Sequence, residues 1–283
     1  MIEPRWDGCE NPSHNIPPPP ADGSESHPYR ALARLRIGCV KYLNSRPLIH
    51  GYGGEVKFDH PSGLARDLAA GALDAALVPI FEALRGPRYR IVDGVAIASD
   101  GPVYSVFLAH RGPLAEVRRI ALDPASRTSA HLLQVLLAEF HGLRPQCIDA
   151  RAFPGTPDAE LLIGNQAIDF RLADRDQHRL LDLGEEWQRR TGLPFVFAAW
   201  LLRPELPDPR AIAEEFRHLR SEGIAAIPAI AAAEPDPALA ERYLTQHIRF
   251  DLGEREKAGI ALFARLLAKH ALIPRVPEPL EYV

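Results

Sequence analysis

Apolar and polar positions follow two different rhythms along this chain. From Leu35 to Leu202, short apolar runs alternate with polar stretches carrying proline or glycine, which predicts strands interleaved with helices. After Pro209 the pattern becomes helical almost to the end. Leu35 to Tyr42 reads as a short apolar strand. Ser62 stands where an N-cap belongs, Leu64 and Leu68 share one helical face, and Gly71 marks the stop. Asp74 to Val78 predicts a second strand closed by Pro79, and Val103 to Ala109 and Phe195 to Leu202 predict two longer ones. Between these two lies a smaller α/β unit. It has a strand over Arg119 to Leu122, a helix from about Ser126 to Phe140 with Gly142 as its C-cap, and a strand over Leu161 to Ile163. Asp251 and Glu254 have capping-box spacing and open a helix whose Ile260, Phe263, Leu266 and Leu267 share a face.

This order implies an α/β fold of two lobes linked by two crossing strands. Residues 35–108 with 199–283 form the expected first lobe, and residues 109–198 the second. Residues 1–34 are different. Seven of the 27 prolines fall in the first 30 positions, four of them as Pro17 to Pro20, so this segment reads as a disordered, extended tail.

Composition narrows the function classes. The 283 residues carry 33 basic and 37 acidic side chains, a formal charge of −4, and the mean hydropathy is −0.14. So balanced a charge gives no reason to expect a nucleic acid or a membrane surface as partner. The longest near-apolar stretches, Leu193 to Leu202 and Ile224 to Ala233, are too short to span a bilayer. Polar residues stand near the start where a signal peptide needs an apolar core, so a cytoplasmic location is expected. Cys9, Cys39 and Cys147 are odd in number and widely spaced, which argues against disulfides and zinc. The chain also lacks H-E-x-x-H, G-x-S-x-G and Walker motifs, and its 11 histidines show no zinc spacing.

What remains is a set of polar residues at strand ends and helix starts. Tyr42-Leu43-Asn44-Ser45-Arg46-Pro47 ends the first strand, Pro61-Ser62-Gly63 opens one helix, and Ser126-Arg127-Thr128-Ser129 opens another. Each serine can be read simply as a cap. Several unpaired helix starts in one two-lobed chain, however, favour a cleft for a small anion.

These residues also carry a resemblance. Ile37-Gly38-Cys39-Val40-Lys41-Tyr42-Leu43-Asn44-Ser45-Arg46-Pro47-Leu48 resembles the opening of the chorismate dehydratase family of the futalosine route to menaquinone. In order there follow Pro61-Ser62, Ala76-Leu77-Val78-Pro79, Gly101-Pro102-Val103-Tyr104-Ser105-Val106, Leu122-Asp123 with Ser126-Arg127-Thr128-Ser129, Leu161-Leu162-Ile163-Gly164 and Asp182-Leu183-Gly184 with Trp187. Thr191-Gly192-Leu193-Pro194-Phe195-Val196-Phe197-Ala198 with Trp200 completes the series, which runs from about residue 36 to 273. The chain departs from the family pattern where Asn165 replaces an expected Asp after the strand glycine. The amide keeps hydrogen bonding and loses the charge.

The resemblance implies a periplasmic-binding-protein type II fold used as a cytoplasmic enzyme, with its substrate between the lobes. The implied activity, a hydro-lyase reaction, removes water from chorismate to give 3-[(1-carboxyvinyl)oxy]benzoate. Aromatisation drives it, so no cofactor and no metal is called for. Asn44 is the expected catalytic residue, orienting the leaving hydroxyl. Thr128 and Ser129 are expected to bind one carboxylate, and Ser62 and Ser105 the other. Ser45, Arg46, Arg127 and Asn165 complete the expected substrate-binding set, although either arginine could instead pin a loop through an ion pair. The substrate's own side-chain carboxylate is a candidate base. The rival reading is a non-catalytic aromatic-acid binding or sensor protein on the same fold. A third is dihydroxynaphthoate synthase, whose Cys-Pro-Asn motif does not match Tyr42-Leu43-Asn44.

Overall fold

The computed structural model describes residues 29–86, 88–123, 127–153, 155–173 and 177–283. In chain order the elements begin with β1 (Ile37–Val40), β2 (Val56–Asp59), α1 (Pro61–Ala69), β3 (Ala75–Pro79), α2 (Phe81–Arg85) and β4 (Arg90–Ser99). Next come β5 (Val106–His110), β6 (Arg119–Leu122), α3 (Arg127–Phe140), β7 (Gln146–Asp149), β8 (Ala159–Ile163), α4 (Gly164–Ala173) and β9 (Arg179–Asp182). The remainder is α5 (Leu183–Thr191), β10 (Phe195–Leu202), α6 (Pro209–Ala225), α7 (Ile227–Ala232), α8 (Pro237–Arg242), α9 (Glu254–Lys269) and β11 (Glu281–Tyr282).

Two mixed sheets organise these elements. The first has the order β11-β4-β10-β3-β1-β2 and the second the order β7-β6-β8-β5-β9. In the first sheet β1 runs parallel to β2 and β3, while β10 is antiparallel to both β3 and β4. Its central strands are buried on both faces, which explains their continuous apolar sequence: Leu77, Val78, Ile91, Val92 and Leu201 have no exposed surface. Phe216 of α6 stacks on Trp200 of β10, and Phe263 of α9 packs edge-on against Trp187 and Phe195.

The chain passes between the sheets twice. Both passages differ in place from the sequence reading. β5 pairs along its length with β8 and β9, so it belongs wholly to the second sheet. β10 pairs from Phe195 to Leu202 with β3 and β4, so it belongs wholly to the first. The crossings are therefore the segments 100–105 and 183–194, and the lobe limits move accordingly from 108 and 199.

Local punctuation also shifts. Pro61 takes the first position of α1 behind His60, since proline has no N–H to leave unpaired, and Ser62 is the second helical residue instead of the cap. The last long helix starts at Glu254 behind Gly253, whose N–H is taken by the Glu256 carboxylate (3.0 Å). The expected box of Asp251 and Glu254 is thus displaced by two residues. Residues 1–28 and Ser126 lie outside the described residues. The packed chain nevertheless begins before the expected limit at residue 34. Tyr29 and Leu32 are buried, and the N–H groups of Ala31 and Leu32 donate to the Glu215 carboxylate (2.9 and 2.8 Å).

Candidate active site

β1, β2 and β3 run parallel, and the segments that follow β1 and β3 reach the second lobe through Leu43 and Phe81, at the strand-end edge where open α/β sheets bind ligands. After β1 the chain turns sharply through a 3-10 segment, Leu43–Leu48. Ser45 holds that turn. Its hydroxyl lies 2.6 Å from the Val40 carbonyl and 2.7 Å from the Tyr42 carbonyl, and the residue is 1% exposed. α6 closes over the turn because Gly223 has no side chain; a methyl there would collide with the Pro47 carbonyl.

Asn44 is presented by this turn and is nine-tenths buried. Its Nδ2 donates to the phenol oxygen of Tyr243 (3.1 Å), while its Oδ1 is buried with no hydrogen-bond partner among the described residues. Ser105 Oγ, also fully buried, lies 2.7 Å from the same phenol oxygen. Tyr243 begins a π-helical turn, Tyr243–His247, that follows α8; such widened turns are common at functional sites. Burial, the largest effect, holds its phenol well above the usual range, so it stays protonated at neutral pH.

Ser105 owes its place to the first crossing. The Asp182 carboxylate accepts the N–H groups of Val103 (3.0 Å) and Tyr104 (2.8 Å) while capping α5 through Gly184 (3.0 Å) and Glu185 (3.1 Å). Tyr104 adopts φ 67°, a left-handed conformation, with the Arg171 guanidinium 4.4 Å from its ring centre and the His247 ring stacked on it.

The other expected residues divide. The Phe81 N–H donates to Thr128 Oγ1 (3.2 Å), which joins α2 of the first lobe to the start of α3 in the second. Ser129 is buried beside Thr128 in that first turn. His131, one turn further on, stacks on Phe81 with ring centres 3.7 Å apart. Asn165, second residue of α4, accepts the Leu43 N–H at Oδ1 (3.3 Å), a contact an amide oxygen makes without a charge. Gly164 just before it has φ 60° and lies against the Tyr42 ring. Ser62 is half-buried at the start of α1.

Neither arginine contributes a free cation. Arg46 pairs with Glu234, whose side chain is only 2% exposed, after the end of α7. Arg127 reaches Glu82 (3.5 Å) across the lobes, and Arg85 pairs with the same carboxylate (2.8 Å). Leu43, Asn165, Ile168, Asp236, Leu239 and Tyr243 line a narrow cavity between the lobes. Among the described residues no three or more His, Cys, Asp or Glu side chains gather as a metal site. Nor is any helix there long and apolar enough to cross a membrane.

A family described as menaquinone biosynthesis matches residues 35–269. The chain belongs to this menaquinone-biosynthesis family. A relative within reach is the chorismate dehydratase of Thermus thermophilus, 33% identical over 257 residues, which cover 82% of this chain and 94% of that one. Solved structures show the fold. An Archaeoglobus fulgidus protein superposes with a TM-score of 0.67 at 18% identity, over 84% of this chain and 98% of its own. The alkanesulfonate-binding protein of Xanthomonas axonopodis pv. citri, bound to MOPS, gives 0.62 at 20% identity, over 86% and 95%. This family member therefore has the two-lobed fold of periplasmic binding proteins, as the resemblance implied.

Tyr243 was not among the residues expected at the site. Leu239, Ala240, Tyr243 and Leu244 are spaced as one buried helical face, so the tyrosine reads as core. No local signal sets it apart; only the fold brings it to Asn44 and Ser105.

Proposed function

We propose that this protein is a chorismate dehydratase, a hydro-lyase of menaquinone biosynthesis that forms 3-[(1-carboxyvinyl)oxy]benzoate. The observation that carries the reading is the buried amide of Asn44, whose oxygen has no hydrogen-bond partner among the described residues, in a chain 33% identical to the Thermus enzyme. Loss of water from a cyclohexadiene acid needs a donor and an acceptor at the leaving hydroxyl and a fixed geometry. Asn44 and Ser105 supply such a pair. Thr128 and Ser129, at the start of α3, are suited to a substrate carboxylate once the lobes part and Phe81 releases Thr128. Arg46, Arg127 and Ser45 serve the architecture on this reading. Asn165 helps to close the lobes through Leu43. The enzyme works in the cytoplasm on a soluble diacid, and aromatisation drives the reaction.

The test is turnover. Purified protein mixed with chorismate is expected to give the aromatised product, detected by chromatography and mass. Asn44→Ala is expected to bind a dicarboxylate analogue but lose two orders of magnitude or more in kcat, ~3 kcal/mol of transition-state stabilisation. Tight binding of chorismate without product would instead assign the fold to a binding or sensor role.

A further inference from the structure

We infer that Tyr243 is a positioning residue that sets the polarity of Asn44 and Ser105, the two groups assigned above to the leaving hydroxyl. The inference rests on the dehydratase reading above and deepens it. The argument is an accounting of hydrogens. Asn44 Nδ2 donates to the Tyr243 oxygen, occupying one of its lone pairs. The phenol has a single hydrogen, and the Ser105 oxygen 2.7 Å away is the partner available to it. When Tyr243 donates to Ser105, the Ser105 hydrogen is freed for the ligand and Asn44 Oδ1 remains an acceptor. The chain therefore runs in one direction, from Asn44 through Tyr243 to Ser105, with an acceptor at one end and a donor at the other.

The elimination uses both ends. The ring C3–H bond breaks and its electron pair forms the new double bond to C4 as the C4–O bond breaks. The departing hydroxyl, steadied by the Asn44 oxygen and receiving a hydrogen bond from Ser105, leaves as water after taking up the proton that C3 lost. The substrate's side-chain carboxylate carries that proton, so no external reactant is needed. Tyr243 touches neither proton. Being fully buried and held above its usual titration range, it remains a fixed donor at working pH.

The test is Tyr243→Phe, which keeps the ring and removes one oxygen. Expected is a fall in kcat on the order of 10- to 100-fold with KM changed less than about twofold, since only the orientation of the reacting groups is lost. The side-chain amide of Asn44, assigned in 15N-labelled protein by its loss in Asn44→Asp, is expected to shift and to exchange faster with solvent deuterium. Ser105→Ala, which leaves the phenol without its acceptor, is expected to move the same amide signal. An unchanged kcat in Tyr243→Phe, or an Asn44 amide unaltered in both variants, overturns the inference. A wild-type protein that does not turn chorismate over defeats the dehydratase reading instead, and the amide signals still decide the orientation chain.

Discussion

Replacing Asp182 tests how the two lobes are joined. Its Oδ1 accepts from Val103 (3.0 Å), Gly184 (3.0 Å) and Glu185 (3.1 Å), its Oδ2 from Tyr104 (2.8 Å), and the residue is 5% exposed. Asp182→Ala removes an N-cap, worth ~1 kcal/mol. It also strands two amides of the first crossing, each costing ~1.5 kcal/mol when buried without a partner. The expected loss is about 4 kcal/mol, a large share of an ordinary folding free energy. Asp182→Asn keeps an oxygen for three of the contacts and turns an NH2 group toward the Tyr104 N–H, so it is expected to cost about 2 kcal/mol. The assay is urea unfolding at neutral pH, followed by the fluorescence of the buried Trp187 and Trp200. Tyr104 gains from leaving φ 67° once its amide is released, so Ser105 is expected to move and turnover to fall further than stability alone explains. An Asp182→Ala protein within about 1 kcal/mol of wild type, at equal denaturant slope, refutes the clamp.

Gly164→Ala places a methyl 2.7 Å from the Tyr42 ring at φ 60°. The closed arrangement is expected to weaken by roughly 1–2 kcal/mol, read as a rise in KM of about 5- to 30-fold with a small fall in Tm; an unchanged KM would show that the lobes do not meet there in solution. Burial holds the His131 imidazole below its usual value, with Arg127 and Arg85 adding to the effect and Glu82 and the Arg127 carbonyl opposing it. The folded state thus favours the neutral ring. Its share of stability is complete above the unfolded value of 6.5 and is lost as pH falls below that through the lower folded value. Thermal melts between pH 5 and 8 are expected to show this acid loss, and His131→Gln to reduce it; identical acid limbs in both proteins would contradict the assignment.

The legible parts of the fold are those where local pattern and tertiary burial agree. β6 and β10 are apolar runs of the right length, and the sequence places both to the residue. β4 escaped because Asp93-Gly94 interrupts its apolar run, although the strand continues through and pairs with β10 with irregular register. α4 has no apolar stripe, since Asn165 and Ile168 face the other lobe while Ala167 and Phe170 pack on its own sheet. The start of the packed chain was hidden by proline clustering, yet Tyr29 reaches the Glu222 carboxylate and packs beside Tyr52. For the candidate site, Asn44 stands out in the polar segment that ends the first strand, whereas Ser105 enters only through the family resemblance. Their meeting through Tyr243 was not legible, because it depends on contacts between residues far apart in the chain.

The connectivity of the sheets also dictates an order of assembly on the ribosome. All five strands of the second sheet lie between Val106 and Asp182, so that lobe is complete in sequence as soon as this stretch has emerged. The first sheet starts earlier and finishes later. Its β3 and β4 have no antiparallel partner until β10 has been made, and the apolar faces of Leu77, Val78, Ile91 and Val92 wait meanwhile. Strand pairing over such sequence separation is slow, and exposed apolar edges invite aggregation. The lobe that begins first is therefore the one whose strands wait longest for their partners, and the inserted lobe, although its strands are made together, completes its core only when β10 and α9 arrive against α3.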